Sequence, residues 1–251
     1  MIVRKSAEEL ARMRRAGQVV VAAKRLCRDL VAPGISTLEL DLEVEALIRR
    51  LGAEPAFKGY RGFPATICIS INEEVVHGIP AAHRRIKEGD IVGIDLGAIV
   101  DGYYADAAFT LAVGEIPPKV ERLIDVTREA LELAIVASRP GKRLGDISST
   151  VQRHVESAGF GVVRSFVGHG IGRQLHEDPQ VPNFGEPGKG PVLRPGMVLA
   201  IEPMVTMGHW EVRVLEDRWT AVTADGSLAA HFEETVAITE HGPDVLTREA
   251  A

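Results

Sequence analysis

Cysteine, excess positive charge and long apolar runs are all missing or scarce in this chain, and each shortage closes off a class of protein. Only Cys27 and Cys68 occur among 251 residues, too few for a disulfide framework and in keeping with a reducing compartment. Cys27 lies in an apolar helical pattern and reads as a small core residue. The opening MIVRKSAEEL has no apolar signal core, and no later stretch has the length needed to span a bilayer. A cytoplasmic protein without a membrane segment is expected. The formal net charge of -6 gives no general reason to expect nucleic-acid binding. The basic residues Arg12, Arg14 and Arg15 are diluted by Glu8 and Glu9 on a solvated helix face. What the chain does have is 45% hydrophobic residues, enough for one large or two fused small cores in a globular protein.

The most informative stretch is Lys87 to Asp106, KEGDIVGIDLGAIVDGYYAD. Ile91, Val92, Ile94 and Leu96 lead to an Asp101-Gly102 turn, and Tyr103, Tyr104, Phe109 and Leu111 follow it, so the segment predicts a β-hairpin. Asp95 then sits inside an apolar strand, with Asp106 on its partner. A buried carboxylate needs a cation or several donors, and on this hairpin alone an ion pair is the favoured reading.

An internal echo shifts that balance. Lys87 to Asp95, KEGDIVGID, aligns with Arg194 to Glu202, RPGMVLAIE, acid upon acid. A second acidic strand follows each copy, with Asp106 in the first and Glu233 in the second. Val76-His77-Gly78-Ile79 is likewise echoed by Gly168-His169-Gly170-Ile171. Two related halves, about 1–115 and 116–251, are therefore expected to face each other across a site holding four carboxylates and a pair of histidines.

Element signals support the repetition. Ser6 with Glu9 and Ser36 with Glu39 are capping boxes, predicting helices that stop at Pro33-Gly34 and Gly52. Residues 53–64 read as a loop gathering Phe57, Tyr60 and Phe63, and Ala65–Ile71 and Glu74–His77 as short strands. After Pro117-Pro118 a helix runs to Pro140-Gly141, and another, capped by Asp146, to about Gly159. A strand over Val162–Val167, a glycine-rich turn, a long loop from Asp178 to Pro195 and several further strands complete the chain. One α+β domain over 1–251 with pseudo-twofold symmetry is the expectation.

Asp95, Asp106, His169, Glu202 and Glu233 form the candidate ligand set. Four carboxylates with one imidazole suit a pair of divalent ions such as Mn, Fe, Co or Zn, because one cation would leave excess negative charge. Such a pair can hold a bridging hydroxide and polarise a carbonyl, which is hydrolytic chemistry. His77 and His176 remain free to hydrogen-bond a substrate. His83, His154, His209 and His241 read as ordinary core or surface residues. The alternative, in which the acids merely pair with bases, fails because no Lys or Arg lies beside them in those strands.

Val75-Val76-His77-Gly78-Ile79-Pro80, Asp95-Leu96-Gly97 with Asp101-Gly102-Tyr103-Tyr104-Ala105-Asp106, Gly168-His169-Gly170-Ile171-Gly172, His176-Glu177-Asp178-Pro179, Ile201-Glu202-Pro203 and Phe232-Glu233-Glu234-Thr235 closely resemble the type I methionine aminopeptidases over nearly the whole chain. The resemblance implies the pita-bread fold, a two-half antiparallel sheet with helices on its outer face. It also implies hydrolytic removal of the initiator methionine from nascent polypeptides whose second residue is small. By motif, Asp95 would chelate one ion, His169 and Glu202 the other, and Asp106 and Glu233 would bridge them. His77 would contact the scissile amide, His176 the carbonyl oxygen, and Glu202 would assist proton transfer. Phe57, Tyr60, Phe63, Cys68, Leu175 and Trp219 would line the methionine pocket, with Phe57 and Leu175 departing from the Cys and Phe of well-known members. A monomer with transient ribosome contact and no nucleic-acid specificity is implied as well.

Two rivals share the motifs. Proline-specific peptidases resembling prolidase or aminopeptidase P have the same five ligands but usually an additional N-terminal domain, for which this chain has no room. The type II methionine aminopeptidases carry an inserted helical segment that is not visible between His176 and Glu202. A catalytically silent binding protein of the same fold is a third rival, and loss of a ligand would favour it.

Overall fold

A computed structural model describes residues 1–248; the last three positions of the expected 1–251 domain lie outside the described residues. Helices α1 (Ala7–Leu30) and α2 (Thr37–Arg50) begin at the two predicted capping boxes. Ser6 and Ser36 each accept from the backbone N–H three residues on, and Glu9 and Glu39 accept from the cap N–H in return. Strands β1 (Glu54–Pro55), β2 (Ile67–Ile71), β3 (Glu74–Val76), β4 (Ile91–Val100) and β5 (Tyr103–Ala112) follow. The β4–β5 hairpin turns at Asp101-Gly102, both in the left-handed region at φ 50° and 73°, as a two-residue turn of this kind requires.

Then the order restarts. Helices α3 (Pro118–Ala137) and α4 (Leu144–Ser157) precede β6 (Gly161–Val162), β7 (Gly168–Gly170), β8 (Glu177–Val181), β9 (Val198–Ile201) and β10 (Met204–Thr206). After these come β11 (Val212–Val214), β12 (Ala221–Thr223), β13 (Ala229–His231), β14 (Glu234–Thr239) and β15 (Gly242–Val245). Antiparallel β4 has β1 and β2 on one side and β5 on the other, while β15-β14-β9-β7-β8 make a five-stranded antiparallel sheet. Helix α1 packs on β4 and β5, and α3 packs on α4 and on β5, β9, β10 and β13. Ile67, Ile69, Ile91, Ile94 and Leu96 from the first sheet share one core with Leu123, Ile147, Leu199 and Val236 from the second half.

Several sequence expectations are corrected. Asp146 is not the cap of α4; the cap is Arg143, and Asp146 sits in the first turn, where its carboxylate accepts from the N–H groups of Arg143 (2.8 Å) and Gly188 (2.8 Å). The strand over 162–167 shortens to β6 because the chain changes sheets there. Val163 N–H still donates to Met204 O (3.0 Å), but from Gly168 the backbone pairs with β8 and β9 instead. The glycine-rich segment is strand β7 rather than a turn, the long loop opens with β8, and the 53–64 loop holds β1 and a 3-10 turn at Tyr60–Gly62. Among the described residues, no helix is long and apolar enough to cross a membrane.

Candidate active site

Strand register places the predicted ligands. In the first sheet Cys68 is opposite Asp95, Asp95 opposite Ala108 and Gly97 opposite Asp106. Directly opposed residues in an antiparallel pair share a face, as do residues two apart on one strand, so Cys68, Asp95 and Asp106 project the same way. In the second sheet His169 is opposite Ala200, and Ala200 is opposite Thr235. Glu202 and Glu233 lie two residues from these positions, at the sheet's end.

The two faces meet at a hydrogen-bonded seam. The Thr235 hydroxyl accepts from Asp106 N–H (2.9 Å) and donates to Asp106 O (2.8 Å). Next to it, Ala108 N–H donates to Glu233 O (3.2 Å) and Glu233 N–H to Ala108 O (2.8 Å). Asp106 and Glu233 are therefore fixed by backbone bonds on either side of the join. Glu202 is held through its own carbonyl, which accepts from the Asn183 amide (2.9 Å).

The echoed glycines have a shared steric reason. A Cβ on Gly78 would stand 2.1 Å from Ile69 O, and one on Gly170 would stand 2.1 Å from Asp178 O. A bare Cα after each histidine lets a neighbouring strand pass close behind it.

All thirteen predicted site residues line one cavity of about 150 Å³, together with Arg61. Atoms of Asp106, His169 and Glu233 lie within 4.8 Å of one another. His169 Nε2 is 3.9 Å from Asp106 Oδ2 and 3.7 Å from Glu202 Oε1. Among the described residues, Asp95 Oδ1, Asp106 Oδ1 and Glu233 Oε1 are buried with no hydrogen-bond partner. The nearby buried cation Lys24 is engaged by Glu234 (2.9 Å), one residue along. Like charges about 4 Å apart repel by about 4 kcal/mol per pair at a protein-like dielectric. Burial accordingly raises Asp95 to about 7, and burial with the neighbouring carboxylates raises Asp106, Glu202 and Glu233 well above the usual range. Such a cluster persists only with protons or cations among the oxygens. Orphaned oxygens, hard donors and one neutral imidazole fit divalent metal.

The imidazoles are neutral. Burial, reinforced by His176, lowers His169 to about 3 and His77 to about 4, and His176 is lowered by burial and by Arg61. His176 stacks on Tyr60 and its Nδ1 lies 2.9 Å from the Tyr60 hydroxyl; its ring centroid is 4.2 Å from that of His169. Phe63 and His77 both meet Trp219 edge-on. The cavity thus has a carboxylate floor, an aromatic side and two histidines that can donate hydrogen bonds.

Two residues escaped sequence reasoning. Arg61, at φ 48° between Tyr60 and Gly62, lines this cavity and a second, wider one of about 670 Å³ outside it; nothing in its local sequence marks it. His231 is buried beside Glu202, with Nε2 3.6 Å from Glu202 Oε2. The only available signal was its place two residues before Glu233.

The chain has known relatives in both sequence and fold. Residues 11–240 match the model of metallopeptidase family M24. A methionine aminopeptidase of Clostridium acetobutylicum is 52% identical over 98% of this chain and 99% of its own length. The crystal structure of a methionine aminopeptidase from Thermotoga maritima superposes with a TM-score of 0.98 at 52% identity, covering 99% of this chain and 100% of that one. A prolidase from Pyrococcus furiosus is more distant, with a TM-score of 0.81 and 27% identity over 99% of this chain and 66% of its own. The chain has the pita-bread fold and belongs to metallopeptidase family M24, among its methionine aminopeptidases.

Proposed function

We propose that this protein hydrolyses the N-terminal methionine from nascent proteins and peptides whose second residue is small, using two divalent ions drawn from Co, Mn, Fe and Zn. Asp95, Asp106, His169, Glu202 and Glu233, which line one cavity, would hold the ions. When bound, the ions supply Lewis acidity toward the scissile carbonyl and make water a better nucleophile at neutral pH. Glu202 takes the proton from the attacking water and passes it toward the leaving amine. His176 donates to the carbonyl oxygen as negative charge develops there, and His77 orients the scissile amide. Phe57, Tyr60, Phe63, Cys68, Leu175 and Trp219 receive the methionine side chain, an apolar and polarizable group suited to an aromatic wall.

The observation that carries this reading is the convergence of five ligands with orphaned oxygens on a small cavity that has an aromatic side. The 52% identity to a methionine aminopeptidase against 27% to a prolidase favours methionine over proline specificity. We read residues 1–251 as one catalytic domain of two pseudo-symmetric halves, a cytoplasmic monomer that meets its substrates near the ribosome. The test compares Met-Ala-Ser with Ala-Pro peptides on metal-free protein reconstituted with each ion. Cleavage of Met-Ala-Ser only when metal is present is expected; activity surviving exhaustive chelation, or preference for Ala-Pro, overturns the assignment.

A further inference from the structure

His231 belongs to no predicted role, yet its surroundings are unlike those of a space-filling core histidine. It ends β13 opposite Met204 on β10, is 4% exposed, and does not line the catalytic cavity. Its neighbours Ala229, Ala230 and Phe232 are apolar. Its Nε2 is buried with no hydrogen-bond partner among the described residues, a condition that disfavours folding unless a partner is supplied. That nitrogen faces Glu202 Oε2 at 3.6 Å, while the other carboxylate oxygen, Oε1, faces His169 Nε2 at 3.7 Å.

Glu202 is thus flanked on its two oxygens by two different imidazoles. We propose that His231 is a positioning residue, whose Nε2–H donates to Glu202 Oε2 and so keeps Oε1 turned toward His169 and the other ligands. This rests on the metal-centre reading above. A rotation of the Glu202 carboxylate that shortens the contact by about half an ångström brings it into hydrogen-bonding range. The ring is buried, and a ring nitrogen bearing hydrogen is a donor, so Nε2 is placed to serve the one carboxylate oxygen it faces. Glu202 has to bind a cation and also move a proton; a fixed donor on one oxygen limits the carboxylate to a single orientation for both tasks. Partners of this kind raise metal affinity by about 10–100-fold in metal sites generally.

The experiment uses metal-free wild type, His231→Leu, His231→Gln and His231→Asn. Leucine removes the donor, glutamine offers an amide N–H near the Nε2 position, and asparagine is equally polar but falls short of it. Calorimetric titration with Co(II), the visible spectrum of the Co(II) protein, and kcat and KM on Met-Ala-Ser are the readouts. The Leu and Asn variants are expected to lose about tenfold in Co(II) affinity, to shift the absorption bands, and to lower kcat with KM little changed, while Gln restores most of each. The role is overturned if the Leu variant binds Co(II) with wild-type affinity and spectrum, or if Gln is as impaired as Asn. Should the Leu variant fail to fold, the Gln and Asn pair makes the same discrimination. Wild type that neither binds Co(II) nor releases methionine takes down the functional reading and this role together. Wild type that does both while all variants match it takes down this role alone.

Discussion

His176 and His169 are neighbours in space but differ in what they can lose. His169 is buried among the acids, whereas His176 reaches the cavity from its solvent edge and is anchored by Tyr60. His176→Ala should therefore lower kcat by about 100-fold or more, the range seen for removal of a single transition-state donor, with Co(II) content by atomic absorption close to wild type. Parallel loss of metal and activity would make His176 a ligand instead. The candidate ligands were legible because they break a local rule, an acid inside or beside an apolar strand or a histidine set among glycines. His231 was not, since an isolated histidine beside alanines looks the same whether or not a carboxylate faces it. Cys68 was legible only through the family resemblance; the structure explains it by pairing Cys68 directly opposite Asp95.

At the level of elements, the seam between β5 and the start of β14 joins a backbone pair at Ala108 and Glu233 to one hydroxyl, that of Thr235. Thr235→Val keeps the shape but leaves the buried N–H and C=O of Asp106 without their partner. A loss of at least about 2 kcal/mol in urea unfolding, together with weaker Co(II) binding, is expected. Unchanged stability would mean the seam is held elsewhere. A second element-scale prediction concerns the turns between β10 and β11 and between β12 and β13. Asp225 accepts from the His209 N–H (2.7 Å) and the Ser227 N–H (3.0 Å). Its carboxyl is lowered from 3.8 to about 2, chiefly by Ser227 and His209. A carboxyl whose folded pKa lies below its unfolded value stabilises above the unfolded pKa, and that contribution is lost as pH falls through the folded one. Asp225→Asn should lower Tm at pH 7, and the gap to wild type should close between about pH 4 and pH 2. A pH-independent gap would assign the loss to packing. The helices were readable because capping boxes are local chemistry. The second-half strands were not, since most span only two to six residues and their pairing is set by distant segments. Asp146 shows the limit of a local rule: an aspartate at the cap and one in the first turn leave the same mark in sequence.

For the whole molecule, metal and fold stability are linked. Free ligand at about 100 times its Kd adds about 2.7 kcal/mol, which for a chain of this size is about 5–10 °C in Tm. Scanning calorimetry of chelated protein should show at least that drop, reversed by Co(II) or Mn(II); an unmoved Tm would argue against a metal centre joining the halves. The repeat of acids and histidines pointed to the residues that line one cavity. It could not supply the seam, where Asp106 and Thr235 are 129 residues apart: sequence echoes report kinship between segments, and contact between them is decided by a threonine hydroxyl and by backbone groups that leave no mark in sequence.

The seam also sets an order of events. Asp106 is made well before Glu233, and the bonds that align them form when the segment around Glu233 and Thr235 docks beside β5. A growing chain that ends before Glu233 lacks one acid of the cluster and the partner of the β5 seam, so the cavity is completed only after that segment is made. An enzyme that trims newborn proteins would then become competent only once the strand after Glu233 had settled against β5.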